Sequence, residues 1–320
     1  MLTVSIPYSP FPTSYLLLTH SLFTIDHYQM NFRITHITEY IYNETVGICH
    51  NIARLIPRDT EKQVCKNINI HISPLPDVQN EYDDFFGNHV CYFVIQHEHK
   101  KMRVSVTSEI TKVKSFNYQI DLYQKNSWEE VIELLSESQP EFLDAKQYIA
   151  ETKMTESTPE IKTYALQSFT PGRPLFEATQ DLMHRIYHNF EFEPGITMVA
   201  TPLSEVMAQR KGVCQDFAHL AISCLRSIGL PARYVSGYIE TIPPEGQEKL
   251  VGVDASHAWF AVFIPGMGWM EFDPTNNQIP GDQHITIGWG RDYADIAPLK
   301  GVLFSSSTQQ LKVSVDMRRI

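Results

Sequence analysis

The stretch Gly212-Val213-Cys214-Gln215-Asp216-Phe217-Ala218-His219, running on through Leu220 to Ile228 and ending at Gly229-Leu230-Pro231, decides how the chain is read. Phe217, Leu220, Ala221, Cys224, Leu225 and Ile228 recur at the period of a helix with one apolar face. Gly229 and Pro231 end that helix, because glycine accepts the left-handed turn after a helix and proline cannot continue one. Cys214 is therefore expected at a helix N-terminus, where unpaired N–H groups and the positive end of the dipole lower a thiol pKa.

Working outward, Leu175, Ala178, Leu182 and Ile186 predict a helix whose first residue is Pro174. A shorter helix is expected from Thr201-Pro202, stopping at Gly212 because a residue free to take positive φ is wanted there. Downstream, Ala232–Ile239, Ala258–Ile264 and Trp269–Phe272 read as strands, the last two joined as a hairpin by Pro265-Gly266-Met267-Gly268. The second half is thus helices first, then antiparallel sheet.

The first half has a different texture. Phe32-Arg33-Ile34-Thr35-His36-Ile37-Thr38 and Ile68-Asn69-Ile70-His71-Ile72 alternate apolar and polar residues, and Tyr92–Ile95 and Met102–Val106 continue the series. Pro74-Leu75-Pro76-Asp77 and Phe86-Gly87-Asn88-His89 supply turns. Ser127-Trp128-Glu129-Glu130 has the capping-box spacing of a short helix through Leu135. The expected class is α+β: a leader or tail over 1–30, an antiparallel β sandwich over 31–135, a connecting segment over 136–173, and a helix-plus-sheet unit over 174–320. Met30 opens the first patterned segment, so residues before it are expected to be a tail or an upstream extension of the reading frame.

With 320 residues and 43% apolar content the chain can bury a sizeable core. Lys and Arg number 26 against 37 Asp and Glu, a net charge of −11 that repels phosphate backbones and anionic lipid. Neither nucleic acid nor membrane is an expected partner. The N-terminal region lacks the basic start and long apolar run of a signal peptide, and no window reaches a membrane span of about 18 residues. The five cysteines are odd in number and form no CxxC pair, which suits a reducing compartment, and a cytoplasmic location is expected. Cys49, Cys65, Cys91 and Cys224 read as small core residues.

A nucleophilic thiol needs a base within hydrogen-bond reach, and the base needs a third group to hold its tautomer. His257 opens one strand of the expected hairpin and Asp273 ends the other, so the turn brings them side by side. Cys214, His257 and Asp273 are the candidate catalytic residues. His184, His188 and His219 are expected to be solvent-facing or satisfied in the core, and Trp259 and Trp269 to be packing residues. Zinc on Cys214, Asp216, His219 and His257 is disfavoured by the spacing and the single thiol, so neither metal nor cofactor is expected.

These residues resemble the transglutaminase-like, papain-like thiol superfamily, in its bacterial branch with an N-terminal β domain. Gly212–His219 is similar to its nucleophile motif, Leu230–Tyr238 to the following strand, Ser256-His257-Ala258-Trp259 to its histidine motif, and Gly268–Thr275 to its aspartate motif. Gly290–Asp295, Phe85-Phe86-Gly87-Asn88 and Arg54-Leu55-Ile56-Pro57-Arg58 extend the resemblance to about residues 31–315. The resemblance implies a transglutaminase-like core and acyl transfer through a thioester on Cys214, with a peptide or protein substrate. Water as acceptor gives a protease or amidase, the preferred outcome; a lysine amine gives cross-linking; a non-catalytic binding module is the remaining class. The calcium often used by animal cross-linking enzymes has no Asp-rich loop here.

Overall fold

The computed structural model describes residues 29–113, 125–137, 139–199, 201–241, 255–303 and 308–320. Nearly all of the expected leader lies outside them. The alternation of the first half forms β1 (Gln29–Val46), β2 (Cys49–Ala53), β3 (Gln63–Ser73), β4 (Val78–Asp83), β5 (His89–Ile95) and β6 (His99–Val113). Along β1, Met30, Phe32, Ile34, His36 and Thr38 are buried while Asn31 and Arg33 are exposed, the two-residue period of a half-buried strand.

A helical stretch follows: α1 (Trp128–Leu135), α2 (Pro140–Lys146), α3 (Pro159–Leu166), α4 (Leu175–Asn189), β7 (Glu191–Phe192), α5 (Leu203–Gln209), β8 (Lys211–Gly212) and α6 (Cys214–Ser227). Ser127 and Glu130 form both halves of the capping box of α1. The chain then makes β9 (Ala232–Ile239), β10 (Ala255–Ile264), β11 (Gly268–Phe272), β12 (His284–Gly290), α7 (Tyr293–Ile296), β13 (Leu299–Leu303) and β14 (Gln309–Arg319). Among the described residues no helix is long and apolar enough to cross a membrane.

Three four-stranded sheets result, ordered β14-β1-β6-β3, β13-β2-β5-β4 and β11-β10-β9-β12, with antiparallel pairing throughout. The first two form the sandwich, closed by Met102, Val104 and Val106 against Cys49, Phe93 and Ile95. The third carries α6 on one face, where Tyr234, Ala258 and Phe260 pack on Phe217, Leu220, Ala221 and Leu225. Burying one such leucine contributes roughly 1.5–3 kcal/mol. Its other face holds Val235, Trp259 and Ala261 beneath Trp269 and Trp289.

Three details differ from the sequence reading. β13 and β14 return to the sandwich, pairing with β2 and β1, so the last strands do not stay with the helix-plus-sheet unit. Alternation marks a strand but not its partner. The 136–173 segment is more than a connector, because Ile161, Tyr164, Ala165 and Phe169 join the same core as α6. The helix before Cys214 ends at Arg210, which takes the left-handed conformation at φ 55° with its guanidinium over the Phe190 ring. Gly212 is wanted for closeness instead: a Cβ there would lie 3.0 Å from Asp216 and 3.2 Å from Phe217.

The sandwich is fastened to the third sheet by residues the sequence had singled out. Asn88 donates to the Trp289 carbonyl at 2.8 Å and accepts from its N–H at 3.0 Å, while Arg58 stacks on the Trp289 ring at 3.5 Å. A Cβ at Gly288 would strike the Asn88 side chain at 2.3 Å, so this approach requires glycine. Phe32, Ile34, Val315 and Met317 meet Tyr238, Ile285 and Ile287 across the same junction.

Candidate active site

Cys214 is the first residue of α6, with its thiol partly exposed. The helix start is built by Asp216, whose Oδ2 accepts from the Val213 N–H at 2.8 Å and the Thr197 hydroxyl at 2.6 Å. Burial raises the Asp216 pKa above its ordinary value, and these two hydrogen bonds oppose the rise. The carboxylate thus secures the turn before Cys214, leaving the first helical N–H groups facing outward from the helix end.

His257, the third residue of β10, is buried. Its Nε2 lies 2.8 Å from Asp273 Oδ2, and it shares a cavity wall with Cys214, close enough for the two to interact electrostatically. Extending the β10–β11 register sets Asp273 level with Trp259, so the carboxylate reaches His257 diagonally. Burial alone would lower the His257 pKa, but the Asp273 hydrogen bond and the charges of Asp273 and Cys214 raise it to about 10.

Asp273 is fully buried and surrounded by donors. Oδ2 also accepts from the Asn276 amide at 2.8 Å and faces His284 Nε2 at 3.1 Å, while Oδ1 accepts from the Thr275 N–H at 3.0 Å and the Asn276 N–H at 3.3 Å. Burial pushes its pKa up, yet the hydrogen bonds from the two histidines prevail and hold it well below the carboxylate range. Asp273 was a candidate from the sequence; Asn276 and His284, the latter eleven residues away on another strand, carried no signal.

The structure therefore brings Cys214, His257 and Asp273 together, with His257 hydrogen-bonded to Asp273 and Cys214 and His257 bordering one cavity of about 250 Å³. Tyr234 also lines it. Burial foremost, and then the nearby Cys214, keep its hydroxyl protonated far above the usual pH. The wall opposite comes from the sandwich: Tyr40 on β1 and Leu311 and Val313 on β14.

The other sequence candidates are placed elsewhere. His219 is buried with Nε2 accepting from the Tyr293 N–H at 3.1 Å, and burial drives its pKa down to about 3, so it is neutral. Asp216 and His219 are thus spent on backbone groups and do not converge with Cys214 and His257. Cys224 is a core thiol pushed up to about 12 by burial. Trp259 is fully buried; Trp269 stacks on Arg233. His257, Asp273 and His284 offer ligand atoms within 4.8 Å of one another. Both Nε2 atoms lie at hydrogen-bond distance from one Asp273 oxygen, which suits a chain of shared protons better than a metal.

Comparison with known proteins agrees with this architecture. Residues 32–111 match the bacterial transglutaminase-like N-terminal region, and residues 162–274 match the transglutaminase-like superfamily. The chain is 36% identical over 294 residues to an uncharacterised protein of Mycobacterium tuberculosis, covering 89% of this chain and 92% of that one. It is 38% identical over 109 residues to a protein-glutamine gamma-glutamyltransferase of Pseudomonas aeruginosa, covering 32% of this chain and 16% of that protein. The crystal structure of a candidate cysteine protease from Cytophaga hutchinsonii superposes with a TM-score of 0.72 at 21% identity, covering 92% and 93% of the two chains, which is a likeness of fold. With its helix-borne cysteine, its hairpin histidine and aspartate, and its sandwich in front, the chain belongs to the transglutaminase-like superfamily, in the group that carries the bacterial N-terminal region.

Proposed function

We propose that this protein is a cysteine amidase or peptidase in which Cys214 attacks an amide carbonyl. The observation that carries the reading is the row Cys214–His257–Asp273 at the edge of an open cavity. The thiolate adds to the carbonyl carbon, and the oxyanion sits near the Cys214 N–H at the start of α6 with the Tyr234 hydroxyl as side-chain donor. His257 gives its proton to the departing amine, leaving a thioester and a neutral ring. The ring then takes a proton from water as the water attacks the thioester, releasing the acid and restoring the thiol–imidazole pair. Asp273 holds the imidazole throughout. A cavity of about 250 Å³ suits one amino-acid side chain with its scissile amide.

A second reading, amine in place of water as acceptor, draws on the partial likeness to the gamma-glutamyltransferase. Labelling Cys214 with iodoacetamide at pH 6, followed by a screen of peptides with and without a fluorescent primary amine, tests both. Fast labelling with peptide cleavage supports hydrolysis. Label entering a glutamine-containing protein without cleavage replaces it by transamidation, and a thiol no faster than a free cysteine removes both.

A further inference from the structure

A second cavity, of about 400 Å³, opens between the sandwich and the outer face of the third sheet. It borrows nothing from Cys214. Its walls include Arg233 of β9, Lys112 of β6 and Trp269 of β11.

Arg233 is the unusual member. The residue is only 7% exposed, and among the described residues its side chain has no hydrogen-bond acceptor; Nε is fully enclosed and unpaired. The other deeply buried arginine shows what such a group ordinarily requires. Arg226 donates to the Tyr148, Ala232 and Arg291 carbonyls and to the Thr155 hydroxyl, at 2.7–2.8 Å. An unpaired buried guanidinium is costly, and stacking on aromatic rings offsets only part of that cost.

That stacking is present: the Arg233 guanidinium carbon lies 3.8 Å from the Trp289 ring centre and 4.5 Å from that of Trp269. Ring stacking engages the face of a guanidinium and leaves its in-plane N–H edge available, the geometry that grips an oxyanion with two parallel hydrogen bonds. Lys112 adds a second source. Its ammonium donates to the Gly281 carbonyl at 2.7 Å and the His284 carbonyl at 2.6 Å, so two of three protons are used and one is free. Lys62, Glu61 and Glu271 also line the cavity, and among the described residues neither carboxylate forms an ion pair with Arg233 or Lys112. Glu271 acts electrostatically on both Arg233 and Lys112, and Asp282 on Lys112, but neither occupies the guanidinium edge as an ion-pair partner.

We propose that this cavity is a binding site for a small monovalent oxyanion, a carboxylate or a monovalent phosphate, held by the guanidinium edge of Arg233 and the free ammonium proton of Lys112. His284 lines the cavity and touches Asp273, so the site lies two hydrogen bonds from His257. The proposal does not depend on the chemistry of Cys214, and Cys214→Ala protein should bind the same ligand.

The whole protein is titrated with sodium acetate and, separately, inorganic phosphate, against sodium chloride at matched ionic strength, with calorimetry and tryptophan fluorescence as readouts. One-to-one saturation by either anion but not by chloride is expected; acetate alone points to a carboxylate ligand, phosphate alone to a phosphate. Arg233→Lys keeps the charge but loses the planar fork, and it should weaken binding about tenfold or more. Lys112→Gln should weaken it as well, and carries the test if Arg233→Lys fails to fold. No saturation by either anion, or wild-type affinity in both variants, overturns the proposal.

Discussion

His284 Nε2 stands 3.1 Å from Asp273 Oδ2, the oxygen that also receives His257 at 2.8 Å. One carboxylate oxygen is thus shared between a ring that faces the thiol and a ring that does not. Because Asp273 has further donors from Asn276 and the turn, losing His284 should loosen the carboxylate without freeing it. We expect His284→Phe to lower kcat by about tenfold with KM little changed, and to shift the basic limb of the pH–rate profile of Cys214 alkylation downward as His257 loses part of its support. An unaltered pH profile would show that His284 serves packing alone.

Cys214→Ala should abolish turnover while leaving the unfolding transition nearly unchanged, since the residue is only partly buried at a helix end. Asp273→Asn should reduce kcat by roughly 10³–10⁴, the size seen when a triad carboxylate is neutralised, yet leave Cys214 open to iodoacetamide. Turnover surviving in the alanine variant would remove the covalent mechanism.

Tyr234→Phe removes a protonated hydroxyl from the cavity wall and little else. If it donates to the oxyanion, kcat should fall by on the order of 10²-fold with KM nearly constant. An equal rise in KM with kcat intact would assign it to substrate binding.

Two buried neutral histidines make the fold acid-labile. Burial lowers the His36 pKa to about 4 and the His219 pKa to about 3, below the ordinary 6.5. Above pH 6.5 neither ring is protonated in either state, so no stability is lost there. As pH falls below 6.5 the unfolded chain takes up protons the folded one refuses, and stability drops until the folded pKa values are reached. The loss is on the order of 3 kcal/mol for His36 alone. Urea melts between pH 7 and 4 should show it, and His36→Gln should flatten the slope. His257, with its raised pKa, acts at the other end: its contribution is complete below 6.5 and fades as pH rises towards 10.

Much of the site was legible before any coordinates. Helical period, terminal glycine and proline set Cys214 at the start of α6, and a short turn between two apolar runs set His257 near Asp273, because both are consequences of local geometry. The capping box at Ser127 and the sandwich strands were readable for the same reason. By contrast, the positive-φ residue moved from Gly212 to Arg210, whose cation rests on the Phe190 ring, a contact that packing and not local sequence supplies.

By itself, the amino-acid order determined most of the periodic elements and singled out Cys214, His257 and Asp273 as candidates, since helical period and turn residues depend on neighbours within a few positions. Only the tertiary structure decided that β13 and β14 close the sandwich, that His284 joins Asp273, and that Arg233 lies unpaired between two indoles. Those outcomes depend on which surfaces meet, and burial energy is nearly indifferent to the distance along the chain between the groups it brings together.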